Sequence, residues 1–584
     1  MTDERRILLI QPPLAPIHQP SCALGRLKAS LSAEGMSCDC HYTNLDLHAY
    51  LDNELREWMG RKALGKLPDI LYSSAVFPKH LSERRYLQTM RSVYRDPKKN
   101  QRKLFIKLRR SVLCFNNHLA RRWEKRFPYA VVGVSANYNL MPALFCGYIV
   151  KKLYPSVQVI FGGSECIGEV GRALAKAFSF IDWVVDGEGE GVLSEIVRIV
   201  ERGTHEAPAG TCRRVGKAVT INKALRKPID LESLPFPDYD DYFNSPSLRR
   251  IKSQVEISSE IPVEASRGCW WRKCTFCNYV CYGHRSYERM SDDRVVAGME
   301  HLAKRHRCLN FYFADSVQPN KLESLAKALI DSPYDYNFGM ALRASISARH
   351  FELLSKAGLR RCFVGIESFS DELLEKMKKG VTALENIVML QTAKSLGITA
   401  DFTIISPYPG GARDDYALNR TTLSAISHLI NGVVSQMPFN LKYGSRYFGY
   451  PAEGGIVAMS PANFYKMILP KRYRFKPTLY WDYAPRPTAK CVLPASIVNG
   501  EDGGALELYV GGKDYCRVKD RRTTSRKWFD YTLTPPHSDI LVACLTPKKR
   551  NELACRDSAL QDLIDLRLLI ENGGAYLTLA TRNR

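Results

Sequence analysis

Between residues 251 and 450 short apolar runs alternate with amphipathic stretches six times, and few folds accommodate that rhythm. The runs are IPVEAS (261–266), LNFYFADS (309–316), YNFGMALR (336–343), RCFVGIES (361–368), TADFTIIS (399–406) and VVSQMPF (433–439). Each is too short for a buried helix and has the look of a strand. The stretches between them carry helix signals: Ser291-Asp292-Asp293 can cap one, and Gly358, Gly380 and Gly397 can end three others. Parallel strands need a crossover between them, and a helix supplies it. Six such units in succession predict a partial (β/α)6 barrel with its site at the strand C-termini.

A first series precedes this one: RILLIQ (6–11), SCDCHYT (37–43), YAVVGVSA (129–136), VQVIFGG (157–163) and FIDWVVDGEGE (180–190). Its strand–helix alternation predicts an α/β, doubly wound, Rossmann-like domain over residues 1–205, where ligands bind outside the carboxyl ends of the strands. Those ends carry Pro13, Ser135, Gly162, Gly163, Gly187 and Glu188, which are small, turn-forming or polar, as loops around a large ligand would be. A tight turn accounts for Gly162-Gly163 equally well. Residues 206–250 read as a connector and 251–450 as the barrel. Residues 451–584 read as a small α+β module of winged-helix-like pattern, in which ALELYVGG (505–512) and YCRVKDRR (515–522) can pair as a hairpin.

The net charge of +24 over 584 residues invites a nucleic-acid reading, but its distribution weakens it. Residues 83–126 hold fifteen Lys or Arg against three Asp or Glu, half of the excess. This basic insertion, about residues 50–128, is expected to form one or two surface helices with a solvated face. An acidic peptide or a nucleic acid is the alternative partner. No apolar run approaches bilayer length, and the charged start Met-Thr-Asp-Glu-Arg-Arg is not that of a signal peptide, so the cytoplasm is the expected compartment. Most of the 17 cysteines stand singly in apolar text and are expected to be reduced core residues.

One stretch is different. SRGCWWRKCTFCNYVC (266–281), in the loop after the first barrel strand, has Cys269, Cys274 and Cys277 spaced C-x4-C-x2-C, with Cys281 three residues further on. Four thiolates would suit a structural zinc. Three would hold a [4Fe–4S] cluster and leave one iron open to a substrate or cofactor, an arrangement suited to a barrel mouth.

With Phe276 before its last cysteine, this loop resembles the cluster loop of the radical S-adenosylmethionine (SAM) superfamily, typically C-x3-C-x2-C. The resemblance implies that Cys269, Cys274 and Cys277 hold the cluster and that Cys281 is not a ligand. SAM would chelate the fourth iron and be cleaved to methionine and a 5′-deoxyadenosyl radical. VGIES, with Glu367 ending the fourth strand, resembles the family's G-x-I-E element that faces SAM. Phe276, Asp315 in FADS and Arg343 at the end of the third strand are the other SAM candidates. The preceding α/β domain is similar to the cobalamin-binding domain of the cobalamin-dependent branch, which implies cobalamin at Pro13, Ser135, Gly162, Gly163, Gly187 and Glu188. Asp46-Leu-His48 only superficially resembles the axial-histidine motif of other cobalamin proteins, and His48 is read as an ordinary loop histidine.

QPPLAPIHQPSCALGRL, FGGSECIGEVG, WVVDGEGEG and GGAYLTLA look most like the subgroup that C-methylates ribosomally made (RiPP) peptides. That implies a peptide substrate with a leader segment, recruited by the C-terminal module, and an external one-electron donor, with neither membrane nor nucleic acid as partner. A radical rearrangement or cyclisation without methyl transfer, and a zinc-bearing nucleic-acid-binding protein, are the competing readings. Cys269→Ala is expected to abolish the iron–sulfur chromophore after anaerobic reconstitution, whereas Cys281→Ala leaves it; loss of the chromophore in both would make Cys281 a ligand.

Overall fold

The computed structural model describes residues 6–62, 65–94, 99–137, 139–225, 227–254, 258–279, 287–473, 480–486, 493, 504–511, 515–522 and 529–582. Its first sheet contains β1 (Arg6–Gln11), β2 (Cys38–Tyr42), β3 (Tyr129–Ser135), β4 (Gln158–Gly162) and β5 (Trp183–Val185), in spatial order β2-β1-β3-β4-β5. All of these neighbours run parallel. Helices cover both faces, and Ile7, Leu9 and Trp183 point to one apolar layer while Leu8, Ile10 and Phe161 point to the other. That alternation is the period of two that a sheet buried on both faces imposes.

Two corrections concern this domain. The segment expected to be a connector contributes β6 (Thr211–Val215) and β7 (Ala218–Asn222), which extend the sheet antiparallel past β5. β6 (TCRRV) is buried between β5 and β7, and β7 (AVTIN) is the outer edge; Thr, Arg and Asn make up half of the two strands, so the apolar signal of a strand is broken. The basic insertion holds four helices, Asn53–Lys62, Leu67–Val76, Glu83–Tyr94 and Lys99–Lys125, rather than one or two. On the last of these, Phe105, Leu108, Val112, Phe115, Leu119 and Trp123 recur every three or four residues and are all buried. The basic side chains take the other face, so the charge is a by-product of amphipathicity. His48 lies on the helix Thr43–Tyr50 and not in a loop; burial lowers its pKa to about 4.

The second sheet is built from β8 (Ile261–Val263), β9 (Asn310–Phe313), β10 (Asn337–Arg343), β11 (Leu359–Glu367), β12 (Thr399–Ile405) and β13 (Val434–Met437). All six run parallel and each pairs with its predecessor, the order of an open (β/α)6 barrel. The expected helix signals are used. Ser291 accepts from the Arg294 amide at the start of Asp292–His306. Gly358 has φ +109°, and a side chain there would run into the Tyr336 carbonyl, so only glycine allows the chain to turn into β11.

The C-terminal module shares the barrel's core. Leu506–Gly511 and Tyr515–Asp520 form the expected antiparallel pair, and the helix Asp557–Asp565 leads to strands Leu569–Asn572 and Ala575–Thr578 around Gly573-Gly574. Leu563, Leu577 and Leu541 join the apolar cluster that contains Leu390 and Ile387 of the barrel. Buried His428 locks the junction: its Nε2 donates to the Leu579 carbonyl at 3.0 Å, while its Nδ1 is buried without a partner. Burial lowers its pKa to about 4 from 6.5. The unfolded chain therefore binds the extra proton between these values, and stability falls as pH drops through that window. Between pH 7 and 5 the protein should lose about 2 kcal/mol more unfolding free energy than His428→Gln, measured by denaturant unfolding at both pH values; equal losses would remove His428 as the cause.

Candidate active site

The cysteine loop (268–279) lies across the C-terminal ends of the barrel strands, and the barrel captures its polar groups one after another. Trp270 Nε1 donates to the Gln318 carbonyl and Trp271 Nε1 to the Lys378 carbonyl, both at 2.9 Å. The Thr275 amide donates to the Met377 carbonyl at 3.1 Å, and its hydroxyl reaches the Lys376 carbonyl at 3.0 Å and Tyr408 Oη at 2.6 Å. Asn278 Nδ2 donates to the Tyr443 carbonyl at 3.3 Å. A loop without regular structure keeps a fixed path only when its polar groups are satisfied in this way.

Held so, Cys269, Cys274 and Cys277 sit close enough for the charge on one to bear on the others. Burial raises the Cys274 thiol, against which Lys379 and Arg343 act, and pushes Cys277 up to about 11. Metal or cluster binding must therefore displace these protons, and the neighbouring cations favour the thiolates. Among the described residues no three His, Cys, Asp or Glu side chains already have the spacing of a metal site. The thiols converge without closing a ligand set. Cys281 lies outside the described residues.

Glu367 ends β11 with φ +65°, a left-handed conformation uncommon for a residue with a side chain and worth roughly 1–3 kcal/mol of strain. Its carboxylate is 3.0 Å from Lys379 Nζ, with side chains 12% and 7% exposed. Arg343 is buried and forms no surface salt bridge. Its guanidinium lies 4.1 Å from the Trp271 ring centroid and donates to the Lys379 carbonyl, while its Nε has no partner. Phe276 packs edge-on to Tyr408, with Lys379 Nζ 5.8 Å from its ring centroid.

Two expected site residues are used otherwise. Asp315 turns back to the end of the first strand, where it accepts from the Ala265 amide at 3.1 Å and from Ser266 Oγ, and burial pushes it up to about 7. Both of its oxygens are engaged there, and it fastens the start of the cysteine loop. Glu188 receives Arg267 Nη1 at 3.0 Å and the Ile229 amide at 3.3 Å, and so takes part in the contact between the domains.

The remaining Rossmann candidates stand at the strand ends. Gly163 has φ +109° and lies so close to the Ala136 carbonyl and Asn137 that no side chain fits. Nothing lies within 4 Å of the position a Gly162 side chain would start from except Val185, at 4.0 Å. Ser135 Oγ accepts from Asn137 Nδ2 at 2.9 Å, Pro13 is buried after β1, and Gly187 has φ +106°.

Three residues near these candidates escaped sequence reasoning. Burial, with Asp69 nearby, pushes Glu165 up to about 8. Lys442 is lowered by burial but held up by Cys277, Glu165 and Glu367, which places its ammonium between the two domains. Lys379 stands in KKG, just before the helix-ending Gly380. Only the turn of the chain after β11 buries it, and no local pattern marks that.

Residues 263–417 match the radical SAM superfamily, and the barrel is a radical SAM domain, which takes a [4Fe–4S] cluster and SAM. The hopanoid C-3 methylase of Methylococcus capsulatus is 23% identical over 312 residues, 52% of this chain and 57% of that protein. The anaerobic magnesium-protoporphyrin IX monomethyl ester cyclase of Rubrivivax gelatinosus is 26% identical over 47% of this chain and 50% of its own. The chain thus spans little more than half the length of these relatives. Among solved structures, the cobalamin-dependent S-adenosylmethionine radical enzyme OxsB with aqua-cobalamin and S-adenosylmethionine bound superposes with TM-score 0.55 at 15% identity, covering 82% of this chain and 64% of that one. The methyltransferase TsrM of Kitasatospora setae, with tryptophan and a SAM analogue bound, gives 0.53 at 15% identity, covering 82% and 86%. Both superpositions extend well beyond the barrel, over 82% of this chain.

Lys379→Met should destabilise the protein by roughly 3 kcal/mol, since it strands a buried carboxylate. Denaturant unfolding measures this, and a change below about 1 kcal/mol would mean that Glu367 is solvated.

Proposed function

We propose that the chain is a cobalamin-dependent radical SAM C-methyltransferase that acts on an unactivated carbon of a ribosomally synthesised peptide. One observation carries the cofactor part of this reading. Lys442 feels Glu165, just past the C-terminal end of β4, and Glu367 and Cys277 at the barrel mouth. The two sets of strand ends therefore face a common space, where each fold places its ligand.

The residues present fit the groups. Three convergent thiols with cations beside them match a site-differentiated cluster, with Cys269, Cys274 and Cys277 as its ligands. Arg343, with one buried nitrogen unpartnered, fits the carboxylate of SAM, and Glu367 and Phe276 stand beside it. On the Rossmann side, the open space at Gly162, the buried unpartnered Oε1 of Gln11 after which Pro13 follows, and Glu165 fit a large ligand with a polar rim. Ser135, Gly163 and Gly187, at the same strand ends, would line that site. When bound, cluster and SAM supply a hydrogen-abstracting radical, and the corrinoid supplies a methyl group. The protein binds, orients and excludes water, and no side chain is needed as a nucleophile. The peptide substrate rests on the resemblance of FGGSECIGEVG and its companions to the peptide-modifying subgroup. The C-terminal module would recruit the leader segment as an added strand, and an external donor would supply single electrons.

Anaerobic reconstitution of the full chain should give about one cluster per chain, reductive cleavage of SAM and a bound corrinoid with its visible spectrum. Less than about one cluster, or no SAM cleavage, overturns the radical reading. A corrinoid-free enzyme whose product gains no methyl group by mass would favour rearrangement or cyclisation. Glu367→Gln should weaken SAM binding about tenfold, about 1.4 kcal/mol, by equilibrium binding.

A further inference from the structure

Arg267 follows the first barrel strand and precedes Cys269 by two residues. Its guanidinium meets three carboxylates: Nε to Glu264 Oε1 at 3.0 Å, Nη1 to Glu188 Oε1 at 3.0 Å and Nη2 to Glu190 Oε1 at 2.6 Å. A further bond runs from Nη2 to Glu264 Oε2 at 3.0 Å. Arg26 completes the group, with Nε 3.1 Å from the same Glu264 Oε2 and Nη1 donating to the Pro235 carbonyl at 2.9 Å. Three of the five side chains are less than 10% exposed, Arg26 at 5%, Glu190 at 8% and Arg267 at 9%, and Glu188 and Glu264 are each at 14%. Arg26, Glu188 and Glu190 belong to the Rossmann-like domain, Glu264 and Arg267 to the barrel.

Stability is a poor account of such a group. Bringing five charges out of water costs several kcal/mol per ion, and well-packed apolar residues would hold the two domains at least as tightly. What a guanidinium adds is direction, because its planar fork donates to carboxylates only along fixed lines. Both ends of the fork are stiff. On the barrel side Ser266–Arg267 pairs antiparallel with Glu288–Arg289, and Asp315 fastens Ala265 and Ser266. On the other side Glu188 is anchored by the Ile229 amide, and Gly189 packs so closely on Leu27 that a side chain would collide with it.

We propose that Arg267 is a positioning residue that holds the cysteine loop in register with the 187–190 loop, so that one guanidinium sets the separation between the cluster site and the Rossmann cleft. The inference rests on the functional reading above for what occupies the two sites, but not for the contact itself. Transfer between two cofactors tolerates little misplacement, since about 1 Å can cost a hundredfold in rate. A side chain fixed at both ends is a direct way to limit it.

The test uses the full chain, reconstituted anaerobically with iron, sulfide and cob(II)alamin and then reduced only far enough to place one electron on the cluster while the cobalt stays Co(II). Dipolar coupling between the cluster and cobalt spins, read by pulsed electron paramagnetic resonance, should give one narrow distance in the wild type. Arg267→Met should broaden it with iron and corrinoid contents unchanged, and Arg267→Lys should fall between. The same narrow distance in Arg267→Met overturns the proposal. Hydrogen exchange without added cofactor gives a second readout. Amides of 183–190 and 261–269 should exchange at least tenfold faster in Arg267→Met, and unchanged exchange again overturns the proposal. A wild type that takes up iron but no corrinoid sinks the functional reading while the exchange measurement still decides this one. Should Arg267→Met not fold, Glu190→Gln and Arg267→Lys decide by the same two readouts.

Discussion

Three thiols must meet at one point, and nothing within the sixteen residues that carry them can bring that about. The loop 268–279 has neither helix nor ladder to satisfy its backbone, so its path is set by what it touches. It touches carbonyls at 318, 376, 377, 378 and 443, which come from three different parts of the barrel. The barrel must therefore be formed before the site exists. The aromatic residues of the loop serve the same end: Trp271 carries Arg343 on its face, and Phe276 leans on Tyr408.

Charge at the barrel mouth is arranged around those thiols. Lys379 and Arg343 approach from the barrel and Lys442 from the chain beyond it, so that three cations surround groups that burial alone would keep protonated. The Rossmann-like domain contributes carboxylates to the same region, Glu165 near Lys442 and Glu188 and Glu190 on Arg267. On Glu264 burial acts upwards, yet Arg267 and Arg26 beside it draw its carboxyl down to about 2. The pairs join the two domains through charges of opposite sign at the place where both sets of strand ends meet.

Much of this was legible beforehand, and the parts that were not share a cause. The eleven parallel strands overlap the runs that mark them, because their buried faces need apolar residues, although the edge strands β2 and β13 are only half-buried. FIDWVVDGEGE shrinks to Trp183–Val185, since its flanks are turn and loop. β6 and β7 carry no such run: β6 buries Thr211 and Arg213, and β7 is the edge of the sheet. Cys269, Cys274, Cys277 and Glu367 were visible through spacing and position. The backbone and arginine partners of Asp315 and Glu188 were not legible, because a strand-end carboxylate looks the same in sequence whether it faces a ligand, a backbone amide or an arginine.

Periodicity and cysteine spacing, both local, are what the chain states by itself: two parallel α/β series, and a thiol loop opening the second. Which groups face the thiols is not local. Lys379 lies about 110 residues from Cys269 and Lys442 about 170, counted along the chain, while Glu165 and Glu188 come from another domain. Their charges act through space over a few ångströms with burial to strengthen them. Only the closing of the two sheets onto one cleft decides which of them meet.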